Sequence, residues 1–129
     1  MAIAENVATT QYDQLIGGTA VTALTANVTI KGTTAELKRG TLLGLVTLEN
    51  KYAIVDNDLS DGSEKASVVL AEDVSLTGSD VVATVYTRGL FNREALIVKQ
   101  SDDTAVAHEA ELRAVGIYLT SIYGEEKGE

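Results

Sequence analysis

From Val28 onward, apolar and polar positions alternate over several short stretches, and that period of two predicts strands. Val28 and Ile30 share one side of the stretch from Asn27 to Lys31. Between Leu42 and Leu48 nearly every position is apolar. Leu42, Gly44, Val46 and Leu48 face one way, with Leu43, Leu45 and Thr47 facing the other, so this strand is expected to be buried on both faces. Glu49, Asn50 and Lys51 turn the chain into a strand from Tyr52 to Asp56. Residues 57–65, with Asp61 and Gly62 among them, read as a polar loop. Val68 to Ala71 is a short apolar strand. Thr77, Gly78, Ser79 and Asp80 then turn into Val81–Tyr86, where Val81, Ala83 and Val85 share a face. Arg88 and Gly89 break that run before Leu90 and Phe91, and Leu96, Ile97 and Val98 are apolar again.

One segment changes period. Ala105, His108, Leu112 and Val115 recur at helical spacing and form one face. Asp102 or Asp103 can cap the helix, and Glu109 and Arg113 pair across one turn on its outside. Gly116 ends it, and Ile117 to Ile122 alternates as a last strand. Gly40, Gly62, Gly89 and Gly116 are all expected at turns, the last two with positive φ.

The first residues follow neither period. Thr9, Thr10, Thr19 and Thr22 favour extended backbone, and Tyr12, Leu15 and Ile16 make an apolar cluster just before Gly17 and Gly18. The expectation is a mainly β (α+β) domain with one short helix near the C-terminus and an extended N-terminal arm. The arm covers residues 1–18, the β-rich domain residues 19–122, and an acidic tail residues 123–129. Tyr12, Leu15 and Ile16 are the candidates for attaching the arm to a partner.

Length and composition narrow the class. With 129 residues the chain makes one domain, large enough to fold on a core of its own. It contains no cysteine, which removes disulfides and thiolate metal sites and fits a reducing compartment. The net charge is −9, of which −5 falls in residues 100–129. Such a balance argues against phosphate backbones and anionic membranes as partners. The opening residues lack the basic and apolar regions of a signal peptide, and no run is long enough to span a bilayer. The expected protein is soluble when made.

Chemistry is sparse. His108 is the only histidine and lies on the apolar helix face, where a lone imidazole is more often a satisfied core residue than a base or ligand. Neither glycine-rich phosphate signature occurs. Counting Asp56 as the first position of a calcium loop puts Asp61 where glycine is needed and Ser67 where glutamate is needed, so the spacing fails. Asn27, Val28 and Thr29 form a glycosylation sequon that has no meaning without secretion. The expectation is a non-enzymatic protein with no catalytic residues, metal, cofactor or small-molecule substrate, which acts by binding another protein surface.

Residues 37–119 carry a more specific pattern. In order come Leu37, Lys38, Arg39 and Gly40 with Leu43 and Gly44; Tyr52; and Asp61, Gly62 and Ser63. Then follow Val69, Leu70, Ala71, Glu72, Asp73 and Val74; Val85 and Tyr86 before Gly89, Phe91 and Asn92; Leu112 and Arg113; and Gly116, Ile117 and Leu119. This series resembles the bacteriophage head decoration proteins, the lambda-like protein D group, and Tyr12 to Ile16 looks like the leader before that family's core. Ala66 stands where relatives often carry proline, and the acidic tail is outside the pattern. The resemblance implies a homotrimer at three-fold positions on the outer surface of the expanded capsid. There it would bind the major capsid protein and stabilise the shell against internal DNA pressure, with its arm ordering on the capsid. Another virion structural subunit, a tail-tube or head-completion protein, is the alternative.

Overall fold

The computed structural model describes residues 15–18, 21–101 and 103–120. Along the chain run β1 (Leu24–Ile30), β2 (Thr34–Leu37), β3 (Leu42–Val46), β4 (Lys51–Ile54), β5 (Val68–Leu70), β6 (Val74–Thr77) and β7 (Val81–Asn92). A 3-10 turn at Arg93–Ala95 follows, then a second at Val106–His108 leading into α1 (Glu109–Ala114), and finally β8 (Ile117–Thr120). The protein is therefore mainly β, with one short helix near its C-terminal end, as the two periods in the sequence predict.

The main sheet runs β1-β4-β3-β5-β7-β8, and an additional β1–β7 pairing closes β1, β4, β3, β5 and β7 into a ring. The long strand β7 makes this possible. Its first part pairs antiparallel with β1 from Leu24↔Arg88 to Ile30↔Val81, its middle pairs with β5, and its last residues pair parallel with β8. β2 and β6 form a separate antiparallel ribbon, from Thr34↔Thr77 to Leu37↔Val74.

Two apolar clusters lie on opposite sides of β3 and β5, since neighbouring strand residues point to opposite faces. Leu43, Val68, Leu70, Ala83 and Val85 pack with Ile30, Leu37, Val74 and Leu76 on one side. Leu42 and Val69 face the other way, against Leu15, Val55, Phe91, Leu112, Ile117 and Leu119. The unbroken apolar run at Leu42–Val46 thus reflects a strand wedged between two cores. Gly44 sits in that strand because segment 63–67 lies directly on it: a Cβ there would stand 2.4 Å from the Lys65 carbonyl oxygen and 2.7 Å from that of Ser63.

Several expectations need correction. Leu48 is not part of the buried run but lies at the tip of the β3–β4 turn, 99% exposed, where Asn50 takes φ 58° to reverse the chain. β1 starts at Leu24, ahead of the alternation that marks Val28, because its first residues are exposed and are held by their pairing with β7 rather than by burial. β7 does not break at Arg88 and Gly89; it runs through to Asn92, and Gly89 pairs with Ile117 inside the ladder. Val115 is 48% exposed and leaves the apolar face to Ala105, His108 and Leu112. The helix start is held by Thr104, whose Oγ1 accepts the Ala107 amide at 3.2 Å, while Asp103 is turned toward His108. Glu109 and Arg113 do pair, at 3.2 Å. Tyr12, Asp102, Ile122 and the acidic tail lie outside the described residues.

Candidate functional site

Leu15 and Ile16, expected in an outlying arm, belong to the folded body among the described residues. Leu15 is 1% exposed and packs in the cluster around Phe91 and Leu112. Its carbonyl accepts the Asn92 amide at 2.7 Å, Ile16 bridges Phe91, and the Gly17 amide donates to Leu90 at 2.8 Å. The physical reason is that the end of β7, already paired with β8 on one edge, offers its other edge to residues 15–17. An apolar pair before a glycine serves equally as a docking anchor or as core, and the chain uses Leu15 as core.

Gly40 meets this root from the other side. It takes φ +100°, and its amide donates to Leu70 at 2.8 Å while its carbonyl accepts Ile97 at 3.0 Å. A Cβ at Gly40 would stand 2.8 Å from the Ala95 carbonyl oxygen and 3.5 Å from Leu15 Cδ1. Beside it, Arg39 stacks 5.4 Å from the Tyr86 ring centroid and donates to the Ala71 carbonyl and the Tyr86 hydroxyl, both at 2.9 Å. The sequence block from Leu37 to Gly40 is thus a junction between the two cores. Gly62, Gly89 and Gly116 have φ of 109°, 153° and 98°, and the Gly89 amide donates to the Gly116 carbonyl at 3.3 Å.

A second surface feature is a groove of about 610 Å³ between the β3–β4 turn and the polar loop, lined by Val46, Thr47, Leu48, Glu49, Asp61 and Lys65 among others. The Thr47 amide donates to the Asp61 carbonyl at 3.0 Å and ties the two walls together. The Asp61 carboxylate is held below its ordinary range by the Ser63 hydroxyl and then the Ser63 amide, which stabilise its charged form. The loop Asp56–Gly62, dismissed as a calcium site on spacing, is a hydrogen-bonded turn: Asp56 accepts from Asp58 N at 3.1 Å and from Gln100 Nε2 at 2.9 Å.

His108 is buried, 4% exposed, and both ring nitrogens face carboxylates: Nε2 lies 2.6 Å from Asp103 Oδ2 and Nδ1 2.7 Å from Glu111 Oε1. Helical spacing pointed to its burial, but nothing in the sequence pointed to the two carboxylates. Of the buried hydroxyls, Ser63 bonds Asp61 and Thr41 bonds the Lys38 carbonyl, each at 2.6 Å, and neither bonds the imidazole. Among the described residues, no group of three or more His, Cys, Asp or Glu is placed to hold a metal ion. Exposed apolar side chains stand at Leu24 on β1, at Val82 on β7 and at the Leu48 tip, whereas Leu15 at the root is buried.

A family model described as Bacteriophage lambda head decoration protein D matches residues 5–117, a span that includes the Leu15 root, the helix and every residue of the two cores except Leu119. No curated protein matches the chain.

Proposed function

Because the chain belongs to the family of the bacteriophage lambda head decoration protein D, and is thus a structural protein of the phage head, we propose that it acts as a homotrimer on the outer capsid surface. It binds the major capsid protein at three-fold positions of the expanded shell and stabilises that shell against internal DNA pressure. The observation that carries this reading is the family match across residues 5–117, nearly the whole chain. A net charge of −9 supports the outer face, since a protein lining the inside would meet packaged phosphate.

The segment before Leu15, with Ile3, Val7 and Tyr12 among its apolar residues, is the capsid-binding arm. It joins the body at a fixed point, because Leu15 is locked into the core and Gly17 into the β7 edge. Arms that order on binding contribute little singly, and three on one trimer act together at high effective concentration. Co-sedimentation of purified protein with expanded, undecorated capsids is expected to show saturable binding. Light scattering of the material eluted from those particles is expected to give a trimer mass. Absence of binding, or a monomer in both free and eluted protein, would overturn the proposal.

A further inference from the structure

The Asp103, His108 and Glu111 side chains continue beyond the helix. Glu111 Oε1, which faces His108 Nδ1 at 2.7 Å, also accepts the Ala66 amide at 2.9 Å. Ala66 belongs to segment 63–67, whose Ser63 and Lys65 carbonyls cover Gly44 in β3. One carboxylate oxygen therefore fastens the helix to the loop that covers the central strand.

We propose that Asp103, His108 and Glu111 form a latch, closed while the imidazole carries both protons, that fixes segment 63–67 against the helix. A neutral imidazole has one N–H donor and one lone pair, so it can satisfy only one of its two carboxylates. The doubly protonated ring donates to both. Asp103 is nearly sealed from water, with its side chain 3% exposed, whereas that of Glu111 is 33% exposed. On losing a proton the ring keeps the Nε2–H aimed at Asp103, the more buried of the two carboxylates, and turns a bare Nδ1 toward Glu111. Glu111 then swings to water and releases the Ala66 amide.

The charged groups facing the ring are Asp103, from the turn before the helix, and Glu111, from the helix itself. The packed segment 63–67 contributes the uncharged Ala66 amide. Burial pulls the imidazole's pKa down, but the hydrogen bonds and charges of Asp103 and Glu111 outweigh it and leave it above the ordinary 6.5. The latch is thus fully closed below about pH 6.5 and opens as pH rises through the raised folded-state value.

The test is nuclear magnetic resonance on the full chain, following the His108 ring and the protection factor of the Ala66 amide from pH 6 to pH 9. Ala66 protection is expected to fall at least tenfold with the midpoint of the ring, while Leu70, bonded to Thr41 in the sheet, holds. A Glu111→Gln chain keeps an acceptor for Ala66 without the carboxylate, so its protection is expected to stay high at both ends. Protection that ignores the ring's titration, a ring midpoint at or below 6.5, or a Glu111→Gln chain that still loses protection with the ring would each overturn the latch.

Discussion

The Leu15 carbonyl accepts the Asn92 amide at 2.7 Å, while the Leu15 side chain fills the core beside Phe91. One residue thus extends the sheet through its backbone and closes a cluster through its side chain. Leu15→Ala keeps the backbone bond and leaves a cavity. It is expected to cost about 2–4 kcal/mol, read as a lower denaturant midpoint with an unchanged slope. A parental midpoint would show that Leu15 is dispensable to the core.

The same root sets where the chain can be shortened. Deleting residues 2–14 is expected to leave the thermal melt near the parental one and to abolish co-sedimentation with expanded capsids. Deleting 2–16 removes Leu15 and Ile16 as well and is expected to lower the melting temperature by several degrees. Comparing the two melts beside the two binding curves separates loss of the arm from loss of the fold.

Gly44→Ala places a methyl group 2.4 Å from the Lys65 carbonyl oxygen, on backbone atoms that cannot rotate away. Segment 63–67 has to lift, at an expected cost of roughly 1–3 kcal/mol. Chemical denaturation of the variant measures it, and faster exchange of the Ser67 amide, which donates to Leu43 at 2.9 Å, locates it.

Asp56 gives an acid-side counterpart to the histidine. Bonds from Gln100, then from the Asp58 amide, with Lys99 adding to them, hold this buried carboxyl below its ordinary pKa of 3.8. A depressed folded-state value stabilises above the unfolded pKa and is lost as pH falls through the folded one. Asp56→Asn is therefore expected to destabilise at pH 7 by roughly 1–2 kcal/mol, with the gap to the parent closing in acid. Melts between pH 7 and pH 2 check both the size and the direction.

The sequence made some of this legible and hid the rest for definite reasons. Leu42–Val46 announced a strand buried on both faces, because apolar residues at every position have no other use in a short strand. The helix face at Ala105, His108 and Leu112 was equally plain, but Val115 continued the spacing past the point where α1 stops at Ala114. Gly89 looked like a break because glycine weakens a strand locally, and only the distant partners β8 and Ile16 show that β7 carries on beyond it. β2 and β6 leave too short an alternation in the sequence to mark a strand, since each is four residues long and pairs only with the other. At the candidate site, apolarity marked Leu15 and Ile16 as residues to be covered without saying by what. The carboxylates around His108 looked like ordinary surface acids in an acidic chain.

The pairing of residues 15–17 with the end of β7 also has a mechanical meaning. A pull on the chain ahead of Leu15 does not meet a loose tether. It meets backbone bonds to Leu90 and Asn92, in a strand that is itself laced to β1, β5 and β8. Tension entering at that point passes through those two backbone bonds into β7 and from there to the three strands paired with it. A load applied there is shared by β1, β5 and β8 together.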